Sequence, residues 1–290
     1  MTTVMDENVY NLAIDGTFDD CQRIMKTIFS DVAFKTEYEL GAVNSVNWAR
    51  VLAQIVYYFS SGLYVMKETG SDSVRFSVPT GNFGDILAGY YAARMGLPVS
   101  KLILATNEND ILSRFFQTGV YESSQVVKTL SPSMDIQVAS NFERYLYYLM
   151  DRDSSRLRDA MQHFDDSGRL KLPVTQGGEV DPLFAAGVGT TATTLDTIRR
   201  YDVEHDYVLD PHTAVGVHVA EDRLADEDSP VVCLATAHPA KFSKAIREAT
   251  GREVHDKSLD DLMNAPTRMD VLPADEAAVR AYVQERASLR

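Results

Sequence analysis

The sequence predicts an α/β protein, a parallel sheet flanked by helices. Val74 to Pro79 and Leu102 to Ala105 read as short buried strands, with a helix-forming stretch from Asp85 to about Met95 between them. Such strand–helix–strand units pack as parallel neighbours with a right-handed crossover. Composition agrees: 290 residues, 45% hydrophobic and 24% charged, is the balance of a globular chain with a real core.

Taken in order, Asn8 to Ile14 forms a β-branched and aromatic strand broken by Asp15-Gly16, and Thr17 stands where a helix N-cap belongs. From Phe18 to Phe29, apolar Phe18, Cys21, Ile24, Met25 and Ile28 recur at three- and four-residue spacing, which marks one buried helix face. A second helix runs from Asn47 to about Lys67. Trp48, Val51, Leu52, Ile55, Val56, Tyr57 and Phe59 make it apolar nearly all round, as expected of a helix covered on most sides. After the strand–helix–strand unit, residues 107–166 read as mostly helical. Ser167 to Phe184, rich in Gly and Pro, reads as an irregular excursion. Helices resume at about 190–201 and 212–224. Val231 to Leu234 is a short buried strand, Pro239 opens a helix that Gly251 stops, and a last helix spans about Asp275 to Arg286.

Twenty-eight basic against forty-two acidic residues give a net charge of −14, which argues against nucleic acid and anionic membrane as partners. The two cysteines, Cys21 and Cys233, lie in apolar or periodic stretches and suit a reducing compartment. No apolar run approaches the roughly 20 residues a membrane span needs, and Met1 to Glu7 does not resemble a signal peptide, so a cytosolic location is expected.

The most informative stretch is Ser77-Val78-Pro79-Thr80-Gly81-Asn82-Phe83-Gly84-Asp85, which sets two glycines and an asparagine between a strand end and a helix start. Glycines let backbone approach a ligand closely, and the free N–H groups and positive end of a helix's first turn suit a phosphate. Asp85 is an odd neighbour for a bare phosphate and reads as an N-cap or as a hydrogen-bond partner that orders the loop. From spacing alone, anion binding and an ordinary turn are equally good readings.

That stretch resembles the phosphate-binding loop of the threonine synthases and matches it throughout. Other stretches similar to that family follow in order: Ile14 to Gln22, Asn44 to Arg50 leading into Leu52 to Phe59, Ala105 to Asp110, Ser131 to Asp135, Asp210 to Val215, and Ala235 to Phe242. The resemblance spans about residues 8–250. It implies a fold-type-II pyridoxal-phosphate (PLP) enzyme, similar to the tryptophan synthase β chain and incomplete at its N-terminus. Implied segments are 1–70, the remainder of one lobe; 71–250, a large PLP-binding domain with an insertion around 107–189; and 251–290, a helical extension.

Residue by residue, the resemblance implies that Gly81, Asn82, Phe83, Gly84 and Asp85 surround the cofactor phosphate and that Thr236 contacts the pyridine nitrogen. A hydroxyl there leaves the ring unprotonated. Asn44, Ser45 and Asn47 are substrate-pocket candidates, although capping of the next helix explains Ser45 and Asn47 equally well. His212 and His238, each beside a proline, read as structural hydrogen-bonders rather than general bases.

Family members also carry a segment whose lysine forms the Schiff base and a loop that holds the substrate. Neither motif is in these 290 residues. Lys35 lies between stretches that match other parts of the family, and Lys26, Lys67 and Lys101 sit in surface-like contexts, so the catalytic lysine is expected from elsewhere. The implied activity is conversion of O-phosphohomoserine and water to threonine and phosphate. The leading expectation is a shortened piece of such an enzyme, inactive alone. Alternatives are a split or short homologue that needs a complementary N-terminal segment or chain, a phospho-lyase that stops at 2-oxobutyrate, and a non-catalytic phosphate or PLP module. A missing segment would leave sheet edges and apolar helix faces, such as that of Val51, Ile55 and Tyr58, open to water, with poor solubility or self-association.

Overall fold

The computed structural model describes residues 2–16, 18–176 and 178–287; the expected cap at Thr17 lies outside them. In chain order the regular elements are β1 (Leu12–Asp15), α1 (Phe18–Ser30), α2 (Val32–Glu37), α3 (Trp48–Thr69), β2 (Val74–Pro79), α4 (Gly84–Arg94), β3 (Val99–Thr106), α5 (Ile111–Thr118), β4 (Val120–Glu122), α6 (Phe142–Leu149), α7 (Ser154–Ser167), β5 (Arg169–Lys171), β6 (Phe184–Val188), α8 (Thr191–His205), α9 (Pro211–Glu221), β7 (Val231–Cys233), α10 (Ser243–Thr250), α11 (Lys257–Met263), β8 (Asp270–Pro273) and α12 (Glu276–Ala287). No described helix is long and apolar enough to cross a membrane.

The chain divides into two compact units, residues 43–254 and a smaller one that joins residues 1–42 to 255–290. The division falls just before α3 rather than at residue 70. It also pairs the C-terminal extension with the N-terminal stretch. In the smaller unit, β1 and β8 form a parallel two-stranded sheet with Leu12 opposite Asp270. Its core is Ile24, Ile28 and Phe34, with Ile14, Val279 and Val283 packed on them.

The larger unit holds the expected α/β architecture. Four parallel strands lie in the order β6-β3-β2-β7. All six residues of β2 are buried, as a central strand covered on both faces must be. Strand β6 was not anticipated: Phe184-Ala185-Ala186-Gly187-Val188 is mostly small, and its strand identity comes from the ladder to Leu102–Thr106. Residues 107–166 are less helical than the pattern suggests, because Val120–Glu122 pairs antiparallel with Arg169–Lys171.

Helix α3 starts at an Asn47 cap, whose side chain accepts the Ala49 N–H, and ends at Gly70 in the left-handed conformation. The expectation that Val51, Ile55 and Tyr58 face water is corrected: these three are buried, and Tyr58 stacks edge-on against Phe76. The open face is the flanking one, about a quarter turn round the helix, with Trp48 45%, Leu52 54%, Val56 66% and Leu63 53% exposed. A helix apolar all round does not reveal which stripe its neighbours will cover.

Candidate functional site

In this sheet β2 is followed on one side by β3 and then β6, while the chain returns on its other side as β7. Open α/β sheets bind ligands outside the carboxyl ends of their strands, at the point where the order reverses. Here that point lies between the ends of β2 and β7. A cavity of about 480 Å³ opens there, lined by Arg50, Gln54, Tyr57 and Ser61 of α3, by Asp85, and by Val232 to Thr236. Its size is within the usual range for a small-ligand pocket.

The β2–α4 loop is built by backbone packing. Phe83 adopts a left-handed φ of 62° and its N–H donates to the Gly81 carbonyl at 2.8 Å. Its ring is buried among Phe116, Phe142, Tyr145 and Phe184, whose aromatic contacts offset the strain. Gly81 lies against Ser133, where a β-carbon would come 2.4 Å from the Ser133 carbonyl oxygen. The Asn82 carbonyl accepts from the Asn141 backbone N–H and Nδ2, each at 3.1 Å. Among the described residues, no hydrogen bond joins the N–H groups of Gly84 and Asp85 to the chain; first-turn donors point out of the helix end.

Asp85 is not the cap of α4. It lies in the first turn, and its Oδ1 accepts the Tyr57 hydroxyl at 2.5 Å and the Tyr58 hydroxyl at 3.0 Å. Burial pushes its pKa above the usual carboxylate value, against the pull of both tyrosine hydroxyls. Of its two sequence readings, the loop-ordering partner is the one found.

Asn44, Ser45 and Asn47 sit beside this loop. The Asn44 side chain accepts the Val46 N–H and Asn47 caps α3, so both have local structural work. Ser45 is not a cap; its carbonyl accepts Asn141 Nδ2 at 2.9 Å, the same amide that holds Asn82. Asn141, fully buried, thus ties the 44–47 turn to the β2–α4 loop. It was missed because a single asparagine before a helix carries no distinguishing pattern.

Thr236 is exposed, three residues beyond β7. Its N–H donates to Thr213 Oγ1 at 3.2 Å. Thr213 Oγ1 in turn donates to Asp210 Oδ2, and Asp210 Oδ1 receives His212 N at 2.9 Å and His212 Nδ1 at 3.0 Å. Burial alone would raise the Asp210 pKa, but the bonds from His212 and Thr213 outweigh it and leave the carboxyl below its usual range. His212 Nε2 accepts the Ser133 N–H at 3.3 Å, so the ring is engaged at both nitrogens. His238 caps the turn Pro239–Phe242 through its Nδ1.

A second polar hub lies at the end of β3. Asp135 Oδ1 accepts Asn107 Nδ2 at 2.8 Å, Asn109 Nδ2 at 3.2 Å and the Thr129 hydroxyl at 2.6 Å, and Oδ2 accepts the Thr129 N–H at 2.9 Å. This network holds the 131–135 turn, and so Ser133, in place.

A family model described as threonine synthase, C-terminal, matches residues 213–283. The chain is 48% identical over 276 residues to the threonine synthase of Schizosaccharomyces pombe, covering 86% of this chain and 53% of that protein. Its structure is similar to a PLP-bound threonine synthase from Brucella melitensis, with TM-score 0.87 and 44% identity, covering 99% of this chain and 61% of that one. The yeast threonine synthase structure gives TM-score 0.87 at 40% identity, over 100% and 62%. The chain therefore spans little more than half to three-fifths of the length of these relatives.

Proposed function

We propose that this chain, a homologue of the threonine synthases over nearly its whole length, forms the PLP-holding part of an enzyme that converts O-phosphohomoserine and water to threonine and phosphate. The observation that carries the reading is the meeting of two kinds of donor at the β2–β7 switch point: backbone N–H groups at the start of α4, and a hydroxyl, Thr236, on the same cavity as Asp85.

The residues fit the cofactor's chemistry. A dianionic phosphate suits the unpartnered N–H groups of Gly84 and Asp85 at the helix's positive end. The loop of Gly81, Asn82 and Phe83 shapes that end: Gly81 lets it pack on Ser133, and Phe83 anchors it in the core. Thr236 Oγ1 would donate to the pyridine nitrogen, which keeps that nitrogen unprotonated. When bound, PLP supplies an electron sink for bonds at the substrate's α and β carbons. Burial raises the Asp85 pKa, and the hydroxyls of Tyr57 and Tyr58 donate to its Oδ1, so the carboxyl is tied to α3 rather than left bare beside the phosphate. Asn44, Ser45 and Asn47 stand beside the loop as candidates for holding the substrate.

These 290 residues contain no counterpart of the family's lysine motif, so we assign the Schiff-base lysine and the substrate loop to a complementary N-terminal segment or chain. The exposed apolar stripe of α3 supports this reading, since a partner that buries it would lie next to the cavity that Arg50, Gln54 and Tyr57 line.

An absorbance titration of the purified chain with PLP, before and after borohydride, with peptide mapping, tests the proposal. Saturable binding with no labelled lysine is expected. A single labelled lysine in this chain would refute the assignment of that lysine to another segment; absence of any binding would refute the cofactor role.

A further inference from the structure

We propose that Thr213, with Asp210 fixing the direction of its hydroxyl, is a positioning residue that holds Thr236 against the ligand ring; this rests on the reading of Thr236 given above.

Thr236 lies outside helix and strand and is exposed, so no regular structure sets the direction of its side chain. Two bonds pin its segment. The Leu234 N–H donates to the Ser77 carbonyl at 3.0 Å, which extends the β2–β7 ladder by one step. The Thr236 N–H donates to Thr213 Oγ1 at 3.2 Å. Ala235 is thus strung between two anchors, and Thr236 has little freedom left in φ.

The second anchor has a built-in polarity. A hydroxyl owns one hydrogen, and that of Thr213 is committed to Asp210 Oδ2, so its oxygen is obliged to accept from Thr236. Asp210 is only 2% exposed and Thr213 4%. The other carboxylate oxygen is filled by His212, so Asp210 has no competing conformation to offer. Helix α9, which carries Thr213, has nine of its eleven residues buried and is a rigid mount. The same carboxylate is linked to the β2–α4 loop through His212 Nε2, the Ser133 N–H and the Ser133 carbonyl packed on Gly81.

The test uses the 290-residue chain, with PLP and inorganic phosphate as probes and amide hydrogen exchange as a ligand-free readout. In the parent, the Thr236 amide should exchange more slowly than an unbonded loop amide; exchange at the unprotected rate overturns the proposal however the variants fold. Thr213→Val removes both the bond Oγ1 accepts from Thr236 and the one it donates to Asp210, and should weaken PLP binding about tenfold and speed Thr236 exchange. Inorganic phosphate affinity should stay unchanged, a split that general unfolding does not produce. Thr213→Ser should restore PLP affinity and Thr236 protection. A Thr213→Val chain that matches the parent in both overturns the positioning role alone. A parent that binds inorganic phosphate but not PLP overturns the cofactor reading, and this inference with it.

Discussion

Gly81 and Ser133 meet backbone to backbone: a β-carbon at residue 81 would stand 2.4 Å from the carbonyl oxygen of Ser133. The contact belongs to two loops 52 residues apart, and it fixes how closely the β2–α4 loop packs on the 131–135 turn. Gly81→Ala should therefore cost about 1–3 kcal/mol through overpacking, read by urea denaturation, and weaken phosphate binding at the same time. Gly81 has no positive φ, so the penalty is steric; an alanine variant as stable as the parent would show that Ser133 gives way freely.

Asp85 should show its environment in the pH dependence of stability. Its folded pKa is raised, chiefly by burial, so the protonated form is favoured in the folded state. The stability this gives is complete below the unfolded value of about 3.9 and is lost as pH rises through the higher folded value. Asp85→Asn stays neutral throughout and still accepts from Tyr57 and Tyr58. The expected result is a melting temperature close to the parent at pH 4 and above it at pH 8; a variant less stable at pH 8 would contradict the raised pKa.

Asp135 gathers four donors, two of them from asparagines that are 1–2% exposed. Asp135→Ala removes the acceptor shared by both amides and by Thr129, leaving Asn107 Nδ2 its bonds to Thr129 and Ser131 and Asn109 Nδ2 its bond to the Val127 carbonyl, and should cost about 1–3 kcal/mol in denaturant unfolding. Asp135→Asn keeps acceptor capacity at one atom and should cost less. Equal losses in the two variants would mean that volume, not hydrogen bonding, is what Asp135 contributes.

The open stripe of α3 should govern association. Paired Leu52→Glu and Val56→Glu changes replace residues 54% and 66% exposed, so stability should shift by less than about 1 kcal/mol. In size-exclusion chromatography with light scattering, the parent should self-associate and the double variant should move toward monomer. A monomeric parent at ordinary concentration would deny the stripe any pull.

Much of the architecture was readable because its signals are local. Strand β2, the two glycines and α4 follow one another between Val74 and Arg94, and the observed bounds differ from the expected ones by a residue or so. What escaped was long-range. Phe184–Val188 becomes a strand only because β3 offers it an edge. The buried stripe of α3 was misassigned because apolar residues ring the helix and its packing against α4 and β2 breaks the symmetry. The candidate loop residues came from their resemblance to a family. The bonds that tie the loop together, Asn141 to Ser45 and Thr213 to Thr236, span 96 and 23 residues and leave no periodic mark.

The pairing of Leu12 with Asp270 has a consequence in time. During synthesis at about 5–20 residues per second, β1 emerges roughly ten to fifty seconds before the strand it needs. Residues 43–254 are complete in that interval and can bury their own sheet. Residues 12–15 must wait as an unpaired edge until residues 270–273 follow, so any chaperone that attends the nascent chain has most to do at this strand.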